Sequence, residues 1–159
     1  CAERLPHHDF HVIGGADEDI VYWRSRAPAN VNFHGFVAPR QVASARAHCD
    51  VLLMPYQRDL CLPHSRSNTT AWMSPMKLFE YMASRKAIIA SDLPVLREVL
   101  DERMAVLIPS DDVDAWVQAI GSCENRARRE TLANRAYQTF VEHYTWEKRA
   151  RNVVQGIEL

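Results

Sequence analysis

The 159-residue sequence has no apolar run of bilayer length; stretches such as Val51-Leu52-Leu53-Met54 and Ala87-Ile88-Ile89-Ala90 fall far short of the ~20 residues a spanning helix needs. It also lacks a charge imbalance. Its 19 basic and 20 acidic residues nearly cancel and are interspersed, so there is no basic stripe of the kind a phosphate-backbone binder uses. Nucleic acid is therefore not an expected partner. The four cysteines, at positions 1, 49, 61 and 123, contain no Cys-x-x-Cys and no framework spacing, which points to free thiols in a reducing compartment. Cys61-x-x-His64, with His48 and Cys49 upstream, matches no standard zinc pattern. Cys49 reads as core, and Cys61 and His64 as loop residues. The first eight residues lack the charged, apolar and small-residue regions of a signal peptide. A cytoplasmic chain, or one cut from something longer, is the expectation, and the first residue being Cys rather than Met favours the cut.

Hydrophobic residues make up 47% and charged residues 25% of the chain, which excludes a disordered or low-complexity reading. The length predicts a single domain over 1–159, burying roughly 68–70% of its unfolded surface without a staple. Five short apolar runs recur, at Phe10–Ile13, Val31–Phe36, Val51–Pro55, Ala87–Ser91 and Ala105–Ile108. Several are apolar at consecutive positions, as strands buried on both faces of a parallel sheet are. Helical patterns lie between them: from Pro39 through Ala47, Met76–Ser84, Leu93–Leu100 and Asp112–Gly121. From Asn125 to Ile157 the pattern is helix alone, with a break at Tyr144-Thr145 and a last helix, capped by Thr145, within 143–159. Alternating strands and helices predict a doubly wound α/β sandwich with a helical C-terminal extension. Ligands in such sheets bind beyond the carboxyl ends of the strands. The segment 56–73 lacks clear periodicity and exceeds the ~12–15 residues usual for a structureless connection, so it reads as a binding loop or lid.

Ser74-Pro75 gives a hydroxyl cap followed by proline at the first helical position. The helix that follows begins Met76-Lys77-Leu78-Phe79-Glu80. Its first amides lie at the positive dipole end, where an anion settles readily. Lys77 stands against that dipole by ~0.3–1 kcal/mol, and a phosphate between its ammonium and the amides would turn the repulsion into attraction. Glu80 lies three residues on, on the same face and about 4.5 Å along the axis. Its two carboxylate oxygens suit the paired hydroxyls of a ribose. An i,i+3 salt bridge between Lys77 and Glu80 explains the spacing equally well. Met76, Phe79 and Ala83 read more simply as core.

At this point the sequence resembles a known family. Ser74-Pro75-Met76-Lys77-Leu78-Phe79-Glu80-Tyr81-Met82-Ala83 is similar to the segment carried by the C-terminal donor-binding domain of GT-B fold, retaining glycosyltransferases of family 4. The flanks agree. Val31-Asn32-Phe33-His34-Gly35-Phe36 resembles the family's Phe-x-Gly strand, and Cys49-Asp50-Val51-Leu52-Leu53-Met54-Pro55 its Ala-Asp-Val-x-x-x-Pro strand. Ala87 to Pro94 with Arg97-Glu98, and Tyr144-Thr145-Trp146 with Arg149-Ala150, are similar to later elements, so the resemblance covers roughly residues 8–157 in order.

The resemblance implies a Rossmann-like half of a GT-B architecture, lacking its first strand. Its substrate would be a nucleoside-diphosphate sugar of UDP or GDP type, with no catalytic metal and no further cofactor. Glu80 would hold the ribose. Lys77, as the catalytic electrostatic group, would hold the pyrophosphate together with the backbone from Ser74 through Pro75, Met76 and Leu78. Gly35, Phe36, Val37 and Tyr56 would lie near the base, and Gly14-Gly15 would let the backbone approach the ligand or would simply make a tight turn. The whole enzyme would pass the sugar to a glycan or lipid-linked acceptor with retention, using an N-terminal acceptor domain that this chain lacks. It would be cytoplasmic, with the inner face of the membrane as the alternative location through peripheral association.

Three departures qualify the match. Trp72 stands where the fuller signature has a second glutamate facing the sugar. The family's first strand, glycine-rich loop and phosphate-clamping Arg and Lys are absent, and so is the acceptor domain. Arg58 or Arg66 could substitute in the clamp, although exposed arginines usually do nothing special. His64 in the loop is a general acid-base candidate, but most of seven histidines are expected to be ordinary surface groups. The rival readings are a nucleotide-sugar epimerase or phosphorylase of the same fold, and a non-catalytic binding or scaffold domain.

Overall fold

A computed structural model describes residues 1–58 and 76–155. They fall into two compact units, Cys1–His48 and the chain from Cys49 onward.

The first unit opens with a 3-10 turn, Ala2–Arg4, followed by strand β1 (Phe10–Ile13), helix α1 (Asp17–Arg24), strand β2 (Val31–Gly35) and helix α2 (Pro39–His48). The strands pair in parallel, Phe10 opposite Val31 and Val12 opposite Phe33, with an irregularity after Val12. The Gly14 amide donates to the Gly35 carbonyl at 2.7 Å, carrying the contact one residue past β1. The Asn30 side-chain amide lies 2.9 Å from the His8 carbonyl and 3.0 Å from that of Leu5, tying the N-terminal turn to the start of β2. Helix α2 begins at Pro39, where the sequence places it, since a first-turn residue needs no donor. Helix α1 is an addition. Its one buried residue is Ile20, so it has no apolar stripe to read. Its acidic first turn, Asp17, Glu18 and Asp19, sits at the positive dipole end.

The second unit contains strand β3 (Val51–Met54), helix α3 (Met76–Ala83), strand β4 (Ala87–Ser91), helix α4 (Pro94–Arg97), strand β5 (Val106–Ile108) and helices α5 (Val113–Ser122), α6 (Arg126–His143) and α7 (Trp146–Gln155). Its sheet is parallel, in the order β3-β4-β5. All five residues of the central strand β4 are buried, which is why that strand reads as a continuous apolar run rather than an alternating one. Met54, Leu78, Met82, Ile88, Leu96 and Leu100 form the heart of the core, and Ala136 of α6 reaches it. The architecture is α/β, with parallel strands flanked by helices.

Side-chain caps fix the helix starts that the sequence anticipates. Asp112 Oδ1 accepts from the Ala115 amide at 2.9 Å, Asn125 Oδ1 from Arg128 at 3.0 Å and Thr145 Oγ1 from Lys148 at 3.3 Å. Helix α4 is shorter than the expected Leu93–Leu100, spanning four residues. Its last residue, Arg97, grips the Asp92 carboxylate with two guanidinium nitrogens and donates to Glu102 Oε1 at 2.9 Å.

These bonds to Arg97 hold both carboxyls below their ordinary range. A depressed folded-state pKa gives stability that is complete above the unfolded value, about 4 for carboxylates, and is lost as pH falls through the folded value. Replacing Arg97 with Met is therefore expected to lower stability at neutral pH, by a small amount because solvent screens these half-exposed groups, and to flatten the acid limb, with variant and parent converging as both carboxyls protonate. Urea denaturation across that pH range checks this; an unchanged acid limb counts against the bridge.

Candidate functional site

The carboxyl end of β3 and the first turn of α3 bring Tyr56, Lys77 and Glu80 into one region of the second unit. Tyr56 follows β3 by two residues, with its amide donating to the Met54 carbonyl at 2.9 Å. Partial burial raises its phenol pKa, so the hydroxyl stays a protonated donor at neutral pH. Lys77 is exposed, and its Nζ stands 5.9 Å from the centre of the Tyr56 ring, at the limit of a cation-π contact. The ammonium therefore leans over the strand end rather than along its own helix. No ion pair joins Lys77 to Glu80 among the described residues, so the salt-bridge reading of that spacing does not describe this structure.

Helix α3 is anchored by Leu78 and Met82, 1% and 0% exposed, one turn apart on the core side. Phe79 is half-buried, with its ring 5.1 Å from that of Tyr144. The expectation that Met76 and Ala83 are core is corrected: both are exposed, because at 100° per residue the arc centred on Leu78 and Met82 leaves Met76 on the far side. Glu80 is exposed on the same helix, and its backbone carbonyl accepts from Ser84 Oγ at 2.6 Å. The Leu78 side chain belongs to the core, so its backbone amide is the part of Leu78 that can face a ligand. Ser74 and Pro75 lie outside the described residues, as do Cys61, His64, Arg66 and Trp72.

Two further groups lie at the carboxyl end of the sheet. Ser91, the last residue of β4, is wholly buried and its Oγ has no hydrogen-bond partner among the described residues. Its signal in the sequence is a lone hydroxyl ending an otherwise apolar strand. Asp92 follows, held by Arg97, and the Arg58 charge also lowers its pKa, which places Arg58 on this side of the unit.

In the first unit, Gly14, Gly15 and Gly35 adopt φ of 106°, 94° and 68°. These are left-handed values that residues with a Cβ rarely adopt. A Cβ on Gly15 or Gly35 would rest 3.4–3.5 Å from Ile20, whereas one on Gly14 would meet nothing. Conformation, not crowding, selects Gly14. Phe36 follows Gly35 and is 84% exposed, and Val37 is half-buried. Among the described residues no group of three or more His, Cys, Asp or Glu is placed to hold a metal ion, and no helix is long and apolar enough to cross a membrane.

The sequence matches the family described as glycosyl transferase-like over residues 1–155. The chain belongs to that family. This glycosyl transferase-like chain is 30% identical over 158 residues to phosphatidyl-myo-inositol mannosyltransferase of Mycolicibacterium smegmatis, a match covering 98% of this chain and 38% of that protein. The enzyme of the same name from Mycobacterium tuberculosis is 28% identical, with 98% and 40% covered. The chain thus spans about two-fifths of the length of these relatives. Among solved structures, Anabaena HepE in complex with UDP superposes with a TM-score of 0.76 at 16% identity, covering 94% of this chain and 40% of that one. Sucrose-phosphate synthase from Thermosynechococcus elongatus gives 0.70 at 20% identity, with 91% and 36% covered. The glycosyl transferase-like chain shares the GT-B fold with these neighbours.

Proposed function

We propose that this chain is the donor-binding part of a retaining glycosyltransferase. It takes a nucleoside-diphosphate sugar at the amino end of α3, and the complete protein passes the sugar to a glycan or lipid-linked acceptor. The observation that carries the reading is the position of Lys77: a cation in the first turn of a helix, turned over Tyr56 at the carboxyl end of β3. That is where a parallel α/β sheet binds its ligands, and a diphosphate there meets helix amides and an ammonium together.

Glu80, three residues along and about 4.5 Å further up the axis, takes the ribose hydroxyls in this reading. As the bond from the anomeric carbon to the diphosphate breaks, negative charge grows on the leaving oxygen. In this reading Lys77 and the first-turn amides of α3 stabilise that charge. The HepE structure, which is a complex with UDP, supports a uridine nucleotide as the first donor to try. The named activity of the mycobacterial relatives, transfer of mannose to phosphatidyl-myo-inositol, supports a lipid acceptor, and peripheral association at the inner membrane face is part of the same proposal. No metal or further cofactor is part of this reading, and cytoplasmic residence goes with the nucleotide donor.

Calorimetry on the complete protein with UDP and GDP tests the site. Glu80→Ala is expected to weaken nucleotide binding by about 1.5–3 kcal/mol, the range for hydrogen bonds to a charged group. Equal affinity in the variant would remove the ribose role from Glu80, and absence of heat with either nucleotide would sink the donor reading itself.

A further inference from the structure

A polar cavity of about 370 Å³ opens in the second unit between Asp50, the Arg85-Lys86-Ala87 turn and one face of α6. Asp50 precedes β3 and Ala87 begins β4, so the cavity lies at the amino ends of the strands, opposite the edge that carries Lys77. Lys77 is in the first turn of α3 and Arg85 lies past its end, with a rise of about 9 Å from Lys77 to Ala83 at 1.5 Å per residue.

Four cations line it: Arg85, Lys86, Arg126 and Arg129. Two carboxylates accompany them. Asp50 Oδ1 accepts from Arg129 at 3.2 Å and Glu130 Oε1 from Arg126 at 2.7 Å. Each carboxylate is thus engaged by an arginine of α6, and the lining keeps two positive charges beyond its negative ones. Arg85 and Lys86 carry that surplus: neither is in an ion pair among the described residues. Arg85 is held by neutral groups, with Nη2 3.4 Å from Asn134 Oδ1 and its guanidinium 4.4 Å from the centre of the Tyr137 ring.

The backbone at Arg85 adds an independent observation. Its φ of 52° is the one positive value at a non-glycine position among the described residues, just past the end of α3. Glycine ordinarily occupies such a helix end, and an L-residue there costs roughly 1–2 kcal/mol. An arginine kept in that conformation puts a guanidinium on the cavity wall that glycine would not supply.

We propose that this cavity is an anion site distinct from the donor site, taking a phosphomonoester group on Arg85 and Lys86 with Arg126 and Arg129 flanking it. A phosphomonoester carries about −1.5 to −2 charges at neutral pH, matching the uncompensated charge of the lining. The planar guanidinium fork pairs with two of its oxygens. The proposal does not depend on the donor reading.

The complete protein, saturated with UDP or GDP to fill any donor site, is titrated with glycerol phosphate. It is also floated with phosphatidylcholine vesicles with and without phosphatidic acid. Saturable binding that weakens about tenfold or more in the double variant Arg85→Gly with Lys86→Gln is expected. Glycine adopts the φ at residue 85 without strain, so that variant keeps its fold; Lys86→Gln alone, expected to weaken binding less, supplies a second reading. Glycerol phosphate binding without vesicle binding assigns the group to a soluble ester. Phosphatidic-acid-dependent flotation competed by glycerol phosphate assigns it to a lipid headgroup. Saturable binding of neither probe, or equal binding by parent and double variant, overturns the proposal.

Discussion

Replacing Lys77 with methionine is expected to lower kcat of the complete protein about a hundredfold to a thousandfold, the loss usual when one preorganised donor to a developing oxyanion is removed. The side chain is exposed and its described contact is the edge-of-range approach to Tyr56. Stability should therefore move by no more than about 0.5 kcal/mol. Because charge on the leaving diphosphate grows toward the transition state, the effect should fall on kcat more than on KM. A rise in KM with kcat preserved would mean that Lys77 only helps to hold the ground-state nucleotide. Unchanged kinetics would move the catalytic electrostatics to another cation, with Arg58 the first to test.

Ile89→Ala is expected to cost about 2–5 kcal/mol of folding stability, since truncating a fully buried aliphatic chain loses transfer energy and leaves a cavity. Ile89 is 0% exposed, and its strand is paired on both sides, Leu53 opposite it on β3 and Val106 on β5. The neighbours that would have to close the gap are thus themselves fixed in the sheet. Chemical denaturation measures the loss, and a cost below about 1 kcal/mol would mean that the core collapses around the site more readily than a strand paired on both edges allows.

How much of this is legible in the residues depends on what each element buries. Strands β3 and β4 are plain because both are apolar at successive positions. Helices α5, α6 and α7 announce themselves through Asp112, Asn125 and Thr145, whose side chains bond to amides three residues on. Helix α1 is hidden because Ile20 is its one buried residue, and α4 is overextended because Pro94 signals a start while nothing in Leu93–Leu100 signals so early an end. The buried arc of α3 is displaced toward Leu78 and Met82 because the sequence does not say which side of an apolar helix meets the sheet. In the site, the type and spacing of Lys77 and Glu80 are legible, but the Tyr56 contact is not: those residues are brought together by tertiary folding alone. The cavity at Arg85 is invisible for the same reason. Its cations come from a turn and from a helix face some forty residues later, where Arg126, Arg129 and Glu130 read as an ordinary solvated helix.

The wholly buried strand β4 has a consequence for motion. Its amide protons, shut between two partner strands beneath the core side chains, belong to the class that exchanges with solvent only when the entire domain opens. Ser91 and Asp92 emerge from the end of that strand, so the floor beneath the proposed donor site is mounted on the last part of the unit to breathe.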